Sequence, residues 1–346
     1  MSLLSSLRSR TALSTALDEL DRSRREIDAL RRQLDRYRHR TNMEKQKRRR
    51  VERQLQRLDR ERVHFGENAR PDRELSGSHP FHRLLVFEHI PKTGGTTFRR
   101  SYLKAALPSH ERWILSGGED NERDRQRFLA FASEHRSRLG IRVVAGHMAE
   151  SLRPHLPGAR YISVVRDPVD RAISSYLHAM FHPGEEPVSA TVRAAQPTLS
   201  EYVEQYQAPS EQSQILLGTD YASYDDQQIR KHLNERYTIV GYTEALEDFL
   251  FYLHVTEQLP LCLFNNRLVR AERATYVPDP ADLAFVRRHH ADDVRLHAIV
   301  KEEFDRRVSA LPGAVVEQMR RYREALAAFH VESGGDVNRF VRLDGM

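Results

Sequence analysis

Lys92-Thr93-Gly94-Gly95-Thr96-Thr97 brings together a lysine, two glycines and three threonines, a combination that can hold an anion. Gly94 and Gly95 let backbone N–H groups converge with no Cβ in the way. Thr93, Thr96 and Thr97 add hydroxyl donors, and Lys92 supplies a full positive charge. The apolar run Leu84-Leu85-Val86-Phe87 leads in and Phe98-Arg99-Arg100-Ser101-Tyr102-Leu103 leads out. The pattern predicts a strand, a tight loop and a helix whose positive end faces the same spot, a cradle suited to phosphate. The order differs from the nucleoside-triphosphatase loop G-x-x-x-x-G-K-[ST], where the lysine follows the glycines. Here the lysine comes first.

Two further runs could bring chemistry to the same edge. Ile141-Arg142-Val143-Val144-Ala145-Gly146-His147 reads as a strand ending in an imidazole. Tyr161-Ile162-Ser163-Val164-Val165 reads as a buried strand followed by Arg166-Asp167-Pro168, with Pro168 at a first-turn helix position and Ser174 further along. A planar guanidinium grips phosphate with paired hydrogen bonds, and a serine adds a neutral donor. Alone, Arg-Asp-Pro also fits an ion pair at a helix start, and a histidine at a strand end also fits a structural hydrogen bond. In open α/β sheets, however, ligands sit at the carboxyl ends of strands, where Lys92, His147 and Arg166 all fall.

His89-Ile90-Pro91-Lys92-Thr93-Gly94-Gly95-Thr96-Thr97 resembles the 5′-phosphosulfate loop of the carbohydrate (type 2, heparan sulfate 2-O-sulfotransferase-like) sulfotransferases, which use 3′-phosphoadenosine 5′-phosphosulfate (PAPS). Arg166-Asp167-Pro168 with Ser174 resembles the family's 3′-phosphate motif. The resemblance covers roughly residues 83–310 and is specific at these two motifs. It implies a P-loop-like parallel sheet flanked by helices, the sulfotransferase fold. It also implies that Lys92, Thr93, Gly94, Gly95, Thr96 and Thr97 hold the 5′-phosphosulfate, that Arg166 and Ser174 hold the 3′-phosphate, and that His147 is the base. The family's His-Gly-His is here Ala145-Gly146-His147, which leaves a second imidazole unassigned. A family loop that covers the nucleotide corresponds to Arg267 and Arg270. Gln212 to Gly218 is similar to a segment near the acceptor. No metal is implied.

The elements that must position these groups occupy only part of the 346 residues. Residues 1–62 carry 19 Lys and Arg against 10 Asp and Glu, a net +9. The whole chain is +6, so the remainder is −3 and the basic character belongs to the N-terminal segment. Leu13, Leu20, Ile27, Leu34, Thr41, Arg48 and Leu55 recur every seventh residue, with Ala16, Ser23, Leu30, Tyr37, Glu44, Val51 and Leu58 three residues after each. No Gly or Pro falls between Met1 and His64. This seam predicts a coiled coil through residues 13–58, a rod of roughly 70 Å that would join the chain into a homo-oligomer, most simply a dimer. The rival is a lone basic helix on an anionic membrane; nucleic acid is the less favoured partner. Residues 63–80 read as a linker, 81–335 as the sulfotransferase domain and 336–346 as a C-terminal tail. Within the domain, Ala281 to Leu311 reads as one helix with Asp293, Leu296, Ile299, Val300 and Phe304 on one side, and Thr243 reads as a helix cap.

One cysteine, Cys262, within an apolar run and no stretch of about 18 apolar residues fit a cytoplasmic protein, with peripheral membrane contact left open. The expected activity is sulfuryl transfer from PAPS to a hydroxyl, with 3′,5′-bisphosphoadenosine as product and a glycan or glycolipid as acceptor. Two alternatives stay open. One is a P-loop nucleotide-dependent kinase, disfavoured by the missing G-K-[ST]. The other is a non-catalytic coiled-coil scaffold with a vestigial nucleotide site.

Overall fold

Leu85–Glu88 forms β1, and all four residues are buried. A continuous apolar run of this kind belongs in a parallel sheet covered on both faces. The computed structural model describes residues 81–115, 120–134, 140–181, 187–265, 275–334 and 339–343, all within the unit Leu58–Met346. The expected coiled coil, the linker and Arg267 and Arg270 lie outside the described residues.

β1 is the centre of a five-stranded sheet with β2 (Arg112–Ile114), β3 (Val143–Gly146), β4 (Arg160–Val165) and β5 (Ile239–Tyr242), in the order β2-β3-β1-β4-β5. All four pairings are parallel, and Glu88 lies between Gly146 of β3 and Ser163 of β4. The chain leaves β1 outward to β2, returns to β3 and then crosses to β4. The strand order therefore reverses around the end of β1, where the crevice of such a sheet opens. The parallel α/β sheet flanked by helices expected from the sequence is the architecture found.

After β1 comes α1, a π-helical stretch (Thr97–Tyr102) running into an α-helical turn (Leu103–Ala106). It stops at Leu107, whose extended backbone is the conformation a residue before proline favours. α2 is Asp120–Glu134, and α3 is Pro168–Phe181, starting directly after Arg166-Asp167. The polar region that follows folds into α4 (Pro187–Ala195), α5 (Leu199–Tyr206), α6 (Glu211–Leu217) and α7 (Asp226–Arg236). Thr198 with Glu201, and Asp225 with Gln228, close capping boxes on α5 and α7. α8 is Leu246–Glu257, and α9, α10 and α11 are Pro280–His289, Ala291–Ser309 and Gly313–Ser333.

Three local expectations change. The single helix from Ala281 to Leu311 is two, because His290 leaves helical geometry (φ −112°, ψ 36°) and turns its buried ring to the Ser210 N–H at 3.1 Å. The buried face of α10 is the expected one: Asp293, Leu296, Ile299, Val300 and Phe304. Thr243 caps no helix; its hydroxyl donates to the Val165 carbonyl at 3.0 Å and ties the β5 exit to the end of β4. In the C-terminal segment, Phe340–Arg342 forms β7, antiparallel to β6 (Cys262–Phe264). Cys262 is a buried free thiol packed in that small sheet.

Candidate active site

The phosphate loop leaves β1 through two left-handed residues, Lys92 (φ 68°) and Gly94 (φ 83°). For Lys92 this conformation costs on the order of 1 kcal/mol and persists because surrounding bonds enforce it. The Arg166 guanidinium (Nη1) donates to the Lys92 carbonyl at 3.3 Å, and the Thr93 hydroxyl donates to the Ile90 carbonyl at 2.9 Å. Gly95 faces a different constraint. A Cβ there would lie 1.7 Å from Cδ2 of His89, so only glycine admits the buried imidazole. Thr96 is half-buried and Thr97 buried at the start of α1. A π-helical segment immediately after such a loop is a common companion of functional sites.

Arg166 emerges half-buried from the end of β4, and its backbone is held from several sides. The Gln212 side-chain carbonyl accepts the Arg166 N–H at 2.8 Å, while its amide donates to the Arg166 carbonyl at 2.9 Å. Glu244 accepts the Asp167 N–H at 3.1 Å, and the Asp167 carboxylate accepts the Asp170 N–H at 3.0 Å, starting α3. Ser174 sits half-buried on α3, and the adjacent Ser175 hydroxyl is 2.9 Å from that of Tyr202. Gln212 thus braces the arginine loop, a place the sequence did not assign to it.

His147 is half-buried at the end of β3, with its carbonyl held by Asn121 (Nδ2) at 3.0 Å. Its ring stacks on that of His89, with centroids 4.1 Å apart and planes at 29°. The second imidazole therefore comes from the end of β1 rather than from the β3 position held by Ala145. Burial and then the Arg99 charge hold His147 below the ordinary histidine range, while the His89 carbonyl and Glu211 pull the other way. His89, almost fully buried, is held well below that range by burial, His147, Arg99 and Lys92. Both imidazoles are neutral at pH 7.

Arg99 is 8% exposed and donates to the Leu115 carbonyl at 3.2 Å. Burial pulls its pKa down to about 10, still charged at neutral pH. Buried Glu88, the last residue of β1, accepts the Glu150 N–H, and burial pushes its pKa up to about 7. Lys92, Arg99 and Arg166 thus gather positive charge at the strand ends that carry the two neutral imidazoles, an arrangement suited to an anion. Among the described residues, no group of three or more His, Cys, Asp or Glu is placed to hold a metal ion.

The sequence missed His89 as a ring contact, Arg99, Glu88 and Gln212. His89 stood within the loop motif, and its place at a strand end was the only signal. Arg99 reads as an ordinary charge on a helix, and the sequence marks Gln212 only through a segment similar to one near the acceptor, not as a brace for Arg166.

The profile of the sulfotransferase family matches residues 7–248, well over half of the chain. The chain belongs to the sulfotransferase family. Its match spans both phosphate motifs, His147 and the whole five-stranded sheet. No curated protein matches the chain. Among solved structures, it is similar to a mouse sulfotransferase complexed with PAP, at 12% identity over 74% of this chain and 85% of that one, with a TM-score of 0.34. It is also similar to a sulfotransferase from Alicyclobacillus acidocaldarius, at 15% identity over 64% of this chain and 99% of that one, with a TM-score of 0.34.

Proposed function

We propose that this sulfotransferase moves the sulfuryl group of PAPS to a hydroxyl of a carbohydrate or glycoconjugate, as its motif resemblance to the heparan sulfate 2-O-type enzymes implies. The observation that carries the reading is the Arg166–Lys92 hydrogen bond, which joins two phosphate motifs 74 residues apart at the ends of adjacent strands. Lys92, the Gly94–Thr97 backbone and the Thr96 and Thr97 hydroxyls would hold the 5′-phosphosulfate, and Arg166 with Ser174 the 3′-phosphate; Thr93, expected as a donor, is fully buried and spends its hydroxyl on the Ile90 carbonyl, so it serves the shape of the loop instead. PAPS supplies an activated sulfuryl group whose leaving phosphate gains charge as the S–O bond breaks.

Lys92 and the loop amides stabilise that growing charge, so their contribution is largest in the transition state. His147 takes the acceptor's proton. Its ring, stacked on that of His89 and held below the ordinary histidine range by burial, is neutral at pH 7 and has a nitrogen lone pair for the hydroxyl. Positioning and charge management account for the remaining acceleration.

The test is incubation with PAPS and glycan or glycolipid extracts, with mass spectrometry of sulfated products. On the acceptor so found, Lys92→Ala lowers single-turnover rate by about 10²-fold, and His147→Ala by about 10²–10⁴-fold with the acidic limb of the pH profile abolished. Wild-type turnover in both variants would contradict the assignment.

A further inference from the structure

We propose that Gln212 is a positioning residue that aims Arg166 at the 3′-phosphate by holding both backbone groups of that arginine. The inference rests on the reading of Arg166 given above. A fully buried glutamine is costly unless its carbonyl and amide are both paired. Gln212 is 0% exposed and uses both ends on a single residue, accepting the Arg166 N–H at 2.8 Å and donating to the Arg166 carbonyl at 2.9 Å. Two opposed bonds fix the Arg166 peptide planes, and with them the direction in which its side chain leaves the loop.

Gln212 is in turn fixed from behind. Its own N–H donates to Asp293 at 3.2 Å, and the Ser213 N–H and hydroxyl donate to the same carboxylate at 2.7 and 2.8 Å. Asp293 is itself 0% exposed on α10. Next to Gln212, Glu211 receives the buried guanidinium of Arg171 at 2.8 Å, which ties the start of α6 to α3. The chain of contacts runs from α10 through α6 to the arginine loop and crosses 81 residues at its first step. The packing of α6 does not require a glutamine here, since buried Leu216 and Leu217 supply its apolar face. An apolar residue at 212 would suit a helix that only had to pack.

The experiment is calorimetric titration of the full chain with 3′,5′-bisphosphoadenosine and with adenosine 5′-monophosphate, which lacks the 3′-phosphate. Gln212→Met, close in volume but unable to hold the peptide, weakens the bisphosphate about tenfold, the scale of one lost hydrogen bond. The monophosphate stays within about threefold. Gln212→Glu keeps an acceptor for the Arg166 N–H but loses the donor, and gives a smaller selective loss. It carries the test if the methionine variant does not fold. Equal losses for both nucleotides, or no loss for either, overturn the proposal. Arg166→Ala is the control. A selective loss there without one at Gln212 rejects the positioning role alone, whereas equal losses at Arg166 reject the 3′-phosphate reading itself.

Discussion

Glu88 is a buried acid at the end of the central strand, and burial governs its protonation. It lies in the central strand, 2% exposed, with its carbonyl bonded to the Ser163 hydroxyl at 2.8 Å and its carboxylate receiving the Glu150 N–H just beyond His147. Burial raises its pKa from the ordinary 4.5 to about 7. The native state therefore binds the proton more tightly than the unfolded chain does. The stabilisation is fully present below about pH 4.5 and is lost as pH rises through 7. Glu88→Gln removes this titration while keeping a carbonyl for Glu150. Its melting temperature relative to wild type should rise between pH 5 and pH 8.5, and an unchanged difference across that range would contradict the burial argument. At this scale, the sequence revealed the groups whose role is local. Lys92, the glycines and Arg166 announce themselves through their immediate neighbours. His89, Arg99 and Gln212 act across the fold, and their contacts depend on strand register and helix packing that no short pattern encodes. Gly95 shows the difference: its need for glycine comes from an imidazole six residues earlier that folds back onto it.

The elements divide by whether their signals are local. β1, β4, α5 and the stop at Leu107 follow from apolar runs, a capping box and a proline. The break at His290 does not, since its cause is the Ser210 N–H on a different element. β7 is equally silent in sequence, because three residues with little apolar pattern become a strand only when β6 is beside them. The N-terminal heptad seam is strong as a local signal and lies outside the described residues. We propose that it joins the chain into a dimer through residues 13–58. Each fully buried aliphatic side chain is worth roughly 1.5–3 kcal/mol, so a seam of Leu, Ile and Val favours a partner over exposure. Light scattering should give a dimer for the full chain at both low and high salt and a monomer after deletion of residues 1–64. A full-length monomer that assembles only on anionic lipid, with binding lost as salt rises, would contradict it.

Across the whole molecule, charge and topology assign different work to different regions. The +9 segment and the −3 remainder mean that the domain holding the phosphate motifs is not basic overall. The affinity for a polyanion proposed above would therefore come from where Lys92, Arg99 and Arg166 are placed. The reversal of strand order around β1 provides that placement, bringing the ends of β3, β1 and β4 side by side with His147, the loop and Arg166. Apolar runs announce the parallel sheet but not the strand order, and so not which of these groups would touch. We propose that this arrangement selects a 3′-phosphorylated nucleotide. The most direct test is calorimetric titration of the full-length protein with 3′,5′-bisphosphoadenosine and with ATP·Mg²⁺. The bisphosphate should bind at least about 10²-fold tighter, since Arg166 has its phosphate partner only there. Equal or tighter binding of ATP·Mg²⁺ would contradict it.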